Sequence, residues 1–129
     1  MIKLVFYIQL MLLIFSFGCK EADVQSKKYP FFVTDPVSEI SSTGATYKAQ
    51  IIDNGDFKIT DFGFIWTDGK VKYQYSLQTS GKTDNFKTRI STDLNKGVTY
   101  TCRAYIKTIK YFVLGNNVIF TSLGCESQL

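Results

Sequence analysis

From Phe31 to Ser122 turn signals recur at the spacing of short strands, and apolar residues nowhere repeat at helical intervals. Asp53-Asn54-Gly55-Asp56 is the strongest of these signals, because Asn-Gly accepts positive φ at little cost. Ser41-Ser42-Thr43-Gly44, Thr67-Asp68-Gly69, Ser80-Gly81 and Leu114-Gly115-Asn116-Asn117 are the others. Between them lie segments rich in Ile, Val, Thr, Tyr and Phe. The run from Ala45 to Ile51 alternates apolar and polar, the period of a strand with one buried face. Val98 to Ile106 places Tyr100, Cys102, Ala104 and Ile106 on one face and Thr101, Arg103 and Tyr105 on the other. Phe31–Val33, Phe62–Trp66, Tyr73–Leu77, Phe86–Ile90 and Val118–Thr121 complete the set, with a short Val37–Ile40 piece after the stop at Thr34-Asp35-Pro36. This pattern predicts an all-β, seven-stranded sandwich of the immunoglobulin-like kind.

The first 18 residues do not belong to that pattern. One basic residue, Lys3, precedes an apolar run from Leu4 to Phe17, interrupted only by Gln9 and Ser16, and Gly18-Cys19 follows. That is the layout of a secretory signal, and it falls short of the roughly 20 apolar residues that a spanning helix needs. Ser16-Phe17-Gly18-Cys19 resembles a bacterial lipobox, in the looser form found in Bacteroidetes-type lipoproteins. The common pattern has Leu three residues before the Cys and a small residue two before it, and this sequence has neither. The resemblance implies cleavage before Cys19, acylation of Cys19 and retention at the outer membrane. Lys20, Glu21 and Asp23 resemble the charged surface-export signal of the same group. The expected organisation is a signal peptide at 1–18, a polar tether at 19–30, one domain at 31–123 and a tail at 124–129.

Leu94-Asn95-Lys96-Gly97-Val98-Thr99-Tyr100 followed by Arg103-Ala104-Tyr105 resembles the E–F corner of fibronectin type III domains. There a Leu covers the core, and a Tyr six residues later returns its hydroxyl to the corner backbone. Asp53-Asn54-Gly55 with Ile59 to Phe64, and the closing Val118 to Ser122, resemble the version found in Bacteroidetes surface lipoproteins. The likeness covers about residues 31–123. The Pro usual at the corner is missing, with Lys96 near its place, and Gly97 still permits the turn. In relatives such a domain often serves as a spacer before another module, so this chain is either a solitary domain or the first part of a longer one.

What the chain lacks narrows its chemistry. It has no histidine, so the usual Ser-His or Cys-His nucleophilic pairs and any His-ligated metal are ruled out. Three cysteines cannot complete a four-cysteine zinc site, and no Gly-rich phosphate loop is present. A net charge of +4 is too small to argue for nucleic acid. No cofactor is expected, and no enzyme. With Cys19 acylated, Cys102 and Cys125 remain. A hairpin turn near Tyr111-Phe112 would set Cys102 opposite a residue near Thr121, leaving Cys125 about 13 Å further along. A turn at Gly115-Asn116 misses by as much the other way, and Val113-Leu114, which would align them, is a poor turn. Bridged Cα atoms lie within about 7 Å. Cys102 therefore reads as a small buried hydrophobe and Cys125 as a loose thiol.

Several groups invite a functional reading. Asp53, Asp56 and Asp61 could gather calcium, though acids around a turn are usually solvated. Trp66, Tyr73 and Tyr75 could form a sugar platform, though cross-strand packing is the commoner fate of such residues. Lys70, Lys72, Lys82, Lys87 and Arg89 could meet an acidic surface, or simply protect sheet edges. Arg103 and Tyr105 form an outward contact pair, and Tyr111 and Phe112 stand in a loop, Ile109–Asn117, unusually apolar for a hairpin tip. Leu94, Tyr100 and Trp66 are signatures of the fold. The expected role is a lipid-anchored, non-catalytic binding or spacer domain of the envelope, contacting a surface protein or glycan. The rival is an inhibitor or immunity-type lipoprotein that blocks an enzyme with the Ile109–Asn117 loop.

Overall fold

The computed structural model describes residues 29–77 and 84–126. Signal, lipidation site and most of the tether, with Cys19, therefore lie outside the described residues, as does Lys82. The domain is all-β, with nine strands and, among the described residues, no helix: β1 (Phe31–Thr34), β2 (Ser38–Ser41), β3 (Gly44–Asp53), β4 (Ile59–Thr67), β5 (Lys72–Ser76), β6 (Phe86–Ile90), β7 (Thr99–Thr108), β8 (Phe112–Leu114) and β9 (Val118–Thr121). They form two antiparallel sheets. One joins β1, β2 and β6 to β3; the other runs β5-β4-β7 with β8 and β9 both on β7.

Seven expected strands become nine because two lanes are each broken once, the first of them where the sequence stops at Thr34-Asp35-Pro36 before the short Val37–Ile40 piece. Thr46 and Ala49 of β3 pair with β6 on one side, so β2 and β1, which also pair there, share the other. Pro36, lacking an N–H, sits in the gap between them. The final lane breaks at Gly115–Asn117 for a different reason. Asn116 turns its side-chain amide onto β1, where its Oδ1 accepts from the Thr34 N–H (2.7 Å) and its Nδ2 donates to the Thr34 carbonyl (3.1 Å). One side chain thus imitates a strand partner. Thr34 Oγ1 in turn accepts from the Ala104 N–H at 3.0 Å, tying the two sheets together along that edge.

The core lies between the sheets. Tyr47 of β3 is its centre, with its ring edge-on to Phe64 and Trp66 at 5.5 Å and to Phe120 at 5.6 Å. Phe32, Phe62, Phe86, Ile90, Leu94, Tyr100, Cys102 and Ile106 enclose it. The corner expected from Leu94 to Tyr100 is present. The Asn95 N–H donates to the Tyr100 hydroxyl at 2.8 Å, Leu94 is buried, and Asp93 and Gly97 take left-handed φ of 57° and 79°. Trp66 Nε1 donates to the Asp93 carbonyl at 3.2 Å, so corner and core are fastened to each other.

Two buried tyrosines therefore differ in one respect. Tyr100 spends its hydroxyl on the corner, whereas the Tyr47 hydroxyl has no hydrogen-bond partner. Tyr100→Phe should cost about 1–3 kcal/mol, since it strands a backbone N–H. Tyr47→Phe should be neutral or stabilise by up to about 1 kcal/mol, since it removes a desolvated hydroxyl. Urea unfolding of both variants against wild type checks the pair, and equal losses would contradict it.

The two cysteines do not meet. Cys102 pairs with Val118, not with a residue near Thr121, because the β7–β8 turn is centred on Ile109-Lys110. Cys102 is buried in the core, and burial pushes its thiol far above the ordinary range. Cys125 corrects the expectation of a loose thiol, since it packs half-buried against the core. The segment that carries it is pinned by Ser122 N–H to the Val98 carbonyl (2.9 Å) and Glu126 N–H to the Ser42 carbonyl (2.9 Å).

Candidate functional site: an outward sheet face and an aromatic tip

Alternation along β4 and β7 sends Phe62, Phe64, Trp66, Cys102 and Ala104 into the core. The intervening residues Asp61, Ile65, Arg103 and Tyr105 therefore share the opposite, outward face. Phe112 and Leu114 of β8 and Ile119 of β9 join them, opposite Lys107, Tyr105 and Thr101.

Tyr105 does face outward as the alternation predicts, yet it is not a contact residue. It is fully buried, with the Phe112 ring stacked on it at 5.4 Å and 16°. Its hydroxyl donates to Asp61 Oδ2 at 3.0 Å, and the Ser76 hydroxyl donates to Asp61 Oδ1. Burial raises the Tyr105 phenol above its usual range, and the neighbouring carboxylate adds to the rise. Tyr105 is thus the floor of the face. The exposed layer is Phe112 (51% exposed) over it, Leu114 (37%) beside it and Ile119 (72%) four residues further along β7, with Ile65 covered and Arg103 half-buried.

Phe112 is not in a free loop. The expected loop Ile109–Asn117 contains β8, so the unpaired part shrinks to the Ile109-Lys110 turn and the Gly115–Asn117 break. Tyr111 points elsewhere, into a cluster at the end of the sandwich where the chain enters. Its ring meets Tyr29 at 6.1 Å and Phe57 at 5.3 Å, and Lys110 Nζ stands 5.6 Å from the Phe57 ring and 5.8 Å from the Tyr111 ring. Sequence reading kept Phe57 and Tyr29 apart from Tyr111. The signal available was their position beside the first strand, the β3–β4 turn and the β7–β8 turn, three segments that a sandwich of this topology brings to one end.

The other groups are not assembled into sites. Trp66 is buried and stacks on Tyr73 at 5.7 Å, which removes it from any sugar platform and leaves Tyr75 alone exposed. Asp61 belongs to the Tyr105 network while Asp53 Oδ1 accepts from Gly55 N–H at 2.8 Å, and no acidic metal cluster exists among the described residues. Lys70 and Lys72 lie on or beside β5, and Lys87 lies on β6 of the other sheet. Arg89 is a clamp: its guanidinium donates to Ser41 Oγ (2.8 Å) and Thr43 Oγ1 (3.1 Å), holding β2 across β3 to β6.

No family model and no curated protein matches the chain. Solved structures do. The sensor domain of the anti-sigma factor RsgI4 from Pseudobacteroides cellulosolvens, in a short form, superposes with a TM-score of 0.58 at 16% identity, covering 75% of this chain and 97% of that one. A solution structure of the same sensor domain gives a TM-score of 0.58 at 14% identity, over 78% of this chain and 80% of that one. At such identities the likeness is one of fold.

Proposed function

We propose that the protein is a lipid-anchored module of the bacterial cell envelope whose single fibronectin type III-like sandwich contacts other surface molecules and performs no catalysis. One observation carries the reading: the outward face of the β5-β4-β7-β8/β9 sheet exposes Phe112 and Leu114 beside a buried Tyr105, with Ile119 exposed further along the same edge opposite Thr101. Exposed apolar side chains gathered on one face mark interaction surfaces. Its aliphatic content suits a protein surface better than a sugar. The tyrosine corner supports the fibronectin type III resemblance, and the structural neighbours are sensor domains. The described chain enters at the Tyr29 end, near Phe57 and Tyr111, and leaves at the Ser42 end. A domain anchored through Cys19 would hold its far end away from the membrane, the geometry of a spacer. The inhibitor reading is less favoured, because Phe112 to Leu114 is strand and not a free loop.

A photo-crosslinking amino acid at Ile119, compared in cells with one at Lys87 on the other sheet, tests this. The Ile119 probe should give a discrete adduct that falls about fivefold in a Phe112→Ser background, the effect of losing roughly 1 kcal/mol of contact. Indistinguishable adducts from both positions would overturn it.

A further inference from the structure

Four of the ten large exposed hydrophobic side chains among the described residues gather at one end of the sandwich: Tyr29 (57% exposed), Phe31 (57%), Ile52 (61%) and Ile109 (71%). Register places them there. Phe31 pairs with Asp53 beside Ile52, and the Ile109 N–H donates to the Lys58 carbonyl at 3.3 Å. Tyr29 and Phe57 each pack edge-to-face with the half-buried Tyr111 ring at the same end. Three lysines rim the group: Lys58, Lys107 and Lys110, all exposed. Asp53 and Asp56 lie in the β3–β4 segment of the same end, and Lys27-Lys28 directly precede Tyr29 in the sequence. Among the described residues the rim is therefore basic by one charge, three lysines against two aspartates.

This is also the end that carries the proposed anchor. Nine residues separate Cys19 from Tyr29. Ten Cα–Cα steps of at most about 3.6 Å hold Tyr29 within roughly 36 Å of an acylated Cys19, however the segment is arranged. With Cys19 acylated, the aromatic tip would stay within that distance of the bilayer. Tyrosine and phenylalanine seat well at the boundary of headgroups and acyl chains, and lysines reach from there to lipid phosphates. Acyl anchoring is commonly reinforced by a basic, apolar surface of this type.

We propose that the tip formed by Tyr29, Phe31, Phe57, Ile109 and Tyr111, with Lys58, Lys107 and Lys110 around it, docks on the surface of an anionic phospholipid bilayer. Docking rests on the anchor reading. It stands the sandwich on its entry end, with Ser42 and Leu94 outermost and the Phe112-Leu114-Ile119 face turned sideways to neighbouring molecules. The cleft of about 450 Å³ between β1 and β8, lined by Tyr29, Phe31, Val113 and Leu114, opens beside the same tip.

The test uses the full chain, purified from membranes and reconstituted into vesicles of neutral lipid with about 30% anionic phospholipid. Ile109→Trp places a reporter on the β7–β8 turn, while Trp66, buried in the core, supplies the wild-type background. Lipids brominated along their acyl chains should quench the added emission at least twofold and leave Trp66 unchanged. Lys58→Glu with Lys107→Glu and Lys110→Glu should abolish that quenching while the protein still floats with the vesicles, and wholly neutral vesicles should reduce it. A floating wild-type chain whose Ile109→Trp reporter is not quenched would overturn the docking and leave the anchor standing. A chain that does not float, or a Cys19→Ala variant that floats equally, would overturn the anchor itself.

Discussion

Replacing Gly63 by alanine is expected to destabilise the domain by about 3 kcal/mol, the upper part of the range for overpacked sites. Gly63 lies mid-strand in β4, paired with Ser76 of β5 on one side and Tyr105 of β7 on the other. A Cβ built there would stand 1.9 Å from the Tyr75 carbonyl oxygen and 2.9 Å from its carbon. Those are backbone atoms of the neighbouring strand, so no rotamer change relieves the overlap. β5 would have to move off β4, losing its ladder and the Leu77 N–H bond to the Phe62 carbonyl (2.8 Å). The stacked Tyr73 beside Trp66 would move with it, opening the core edge. Gly69→Ala is the matched control. It has a φ of 97° but nothing within 4 Å of a new Cβ, so it should cost only the strain of left-handed backbone, about 1 kcal/mol. Urea midpoints of the two variants separate close approach from backbone strain, and equal midpoints would contradict the account.

Period-two alternation was enough to place the long strands and to sort β7 into its two faces, because a strand offers only two directions to its side chains. The corner was legible too, since Leu94, Gly97 and Tyr100 each meet a separate local demand: a covering side chain, a left-handed turn and a hydroxyl acceptor. Alternation is silent, however, on what lies above a face. Tyr105 faces outward and is still buried, because β8 lays Phe112 over it and Asp61 holds its hydroxyl from the neighbouring strand β4. The break in the last lane was hidden for a similar reason. It depends on Asn116 finding the backbone of Thr34, 82 residues earlier, a pairing no local propensity contains. The sequence placed the hairpin turn near Tyr111-Phe112 or Gly115-Asn116, whereas its centre is Ile109-Lys110, because Ile109-Lys110 carries none of the usual turn residues. Tyr111 and Phe112 resume the strand and the tip cluster immediately after a two-residue turn that Thr108 closes, its Oγ1 accepting from the Tyr111 N–H at 2.8 Å. Tertiary contacts of this kind, few and long-range, decide which outward residues are available to a partner.

The second large effect concerns the first residue of the proposed mature chain. Cys19→Ala should move the protein from the membrane fraction to the soluble fraction almost completely. Each acyl CH₂ buried in the bilayer contributes about 0.8 kcal/mol, so losing the chains removes far more than a basic aromatic tip could replace. The described domain has no part in that loss: its core, corner and sheet pairings begin only at Pro30 and Phe31. The Cys19→Ala protein should therefore unfold in urea at the wild-type midpoint, which separates a lost anchor from a damaged fold. Metabolic labelling with radioactive palmitate measures the anchor most directly. The account predicts strong label on wild type and none on Cys19→Ala, and an unlabelled wild type, or equal label on both, would contradict it.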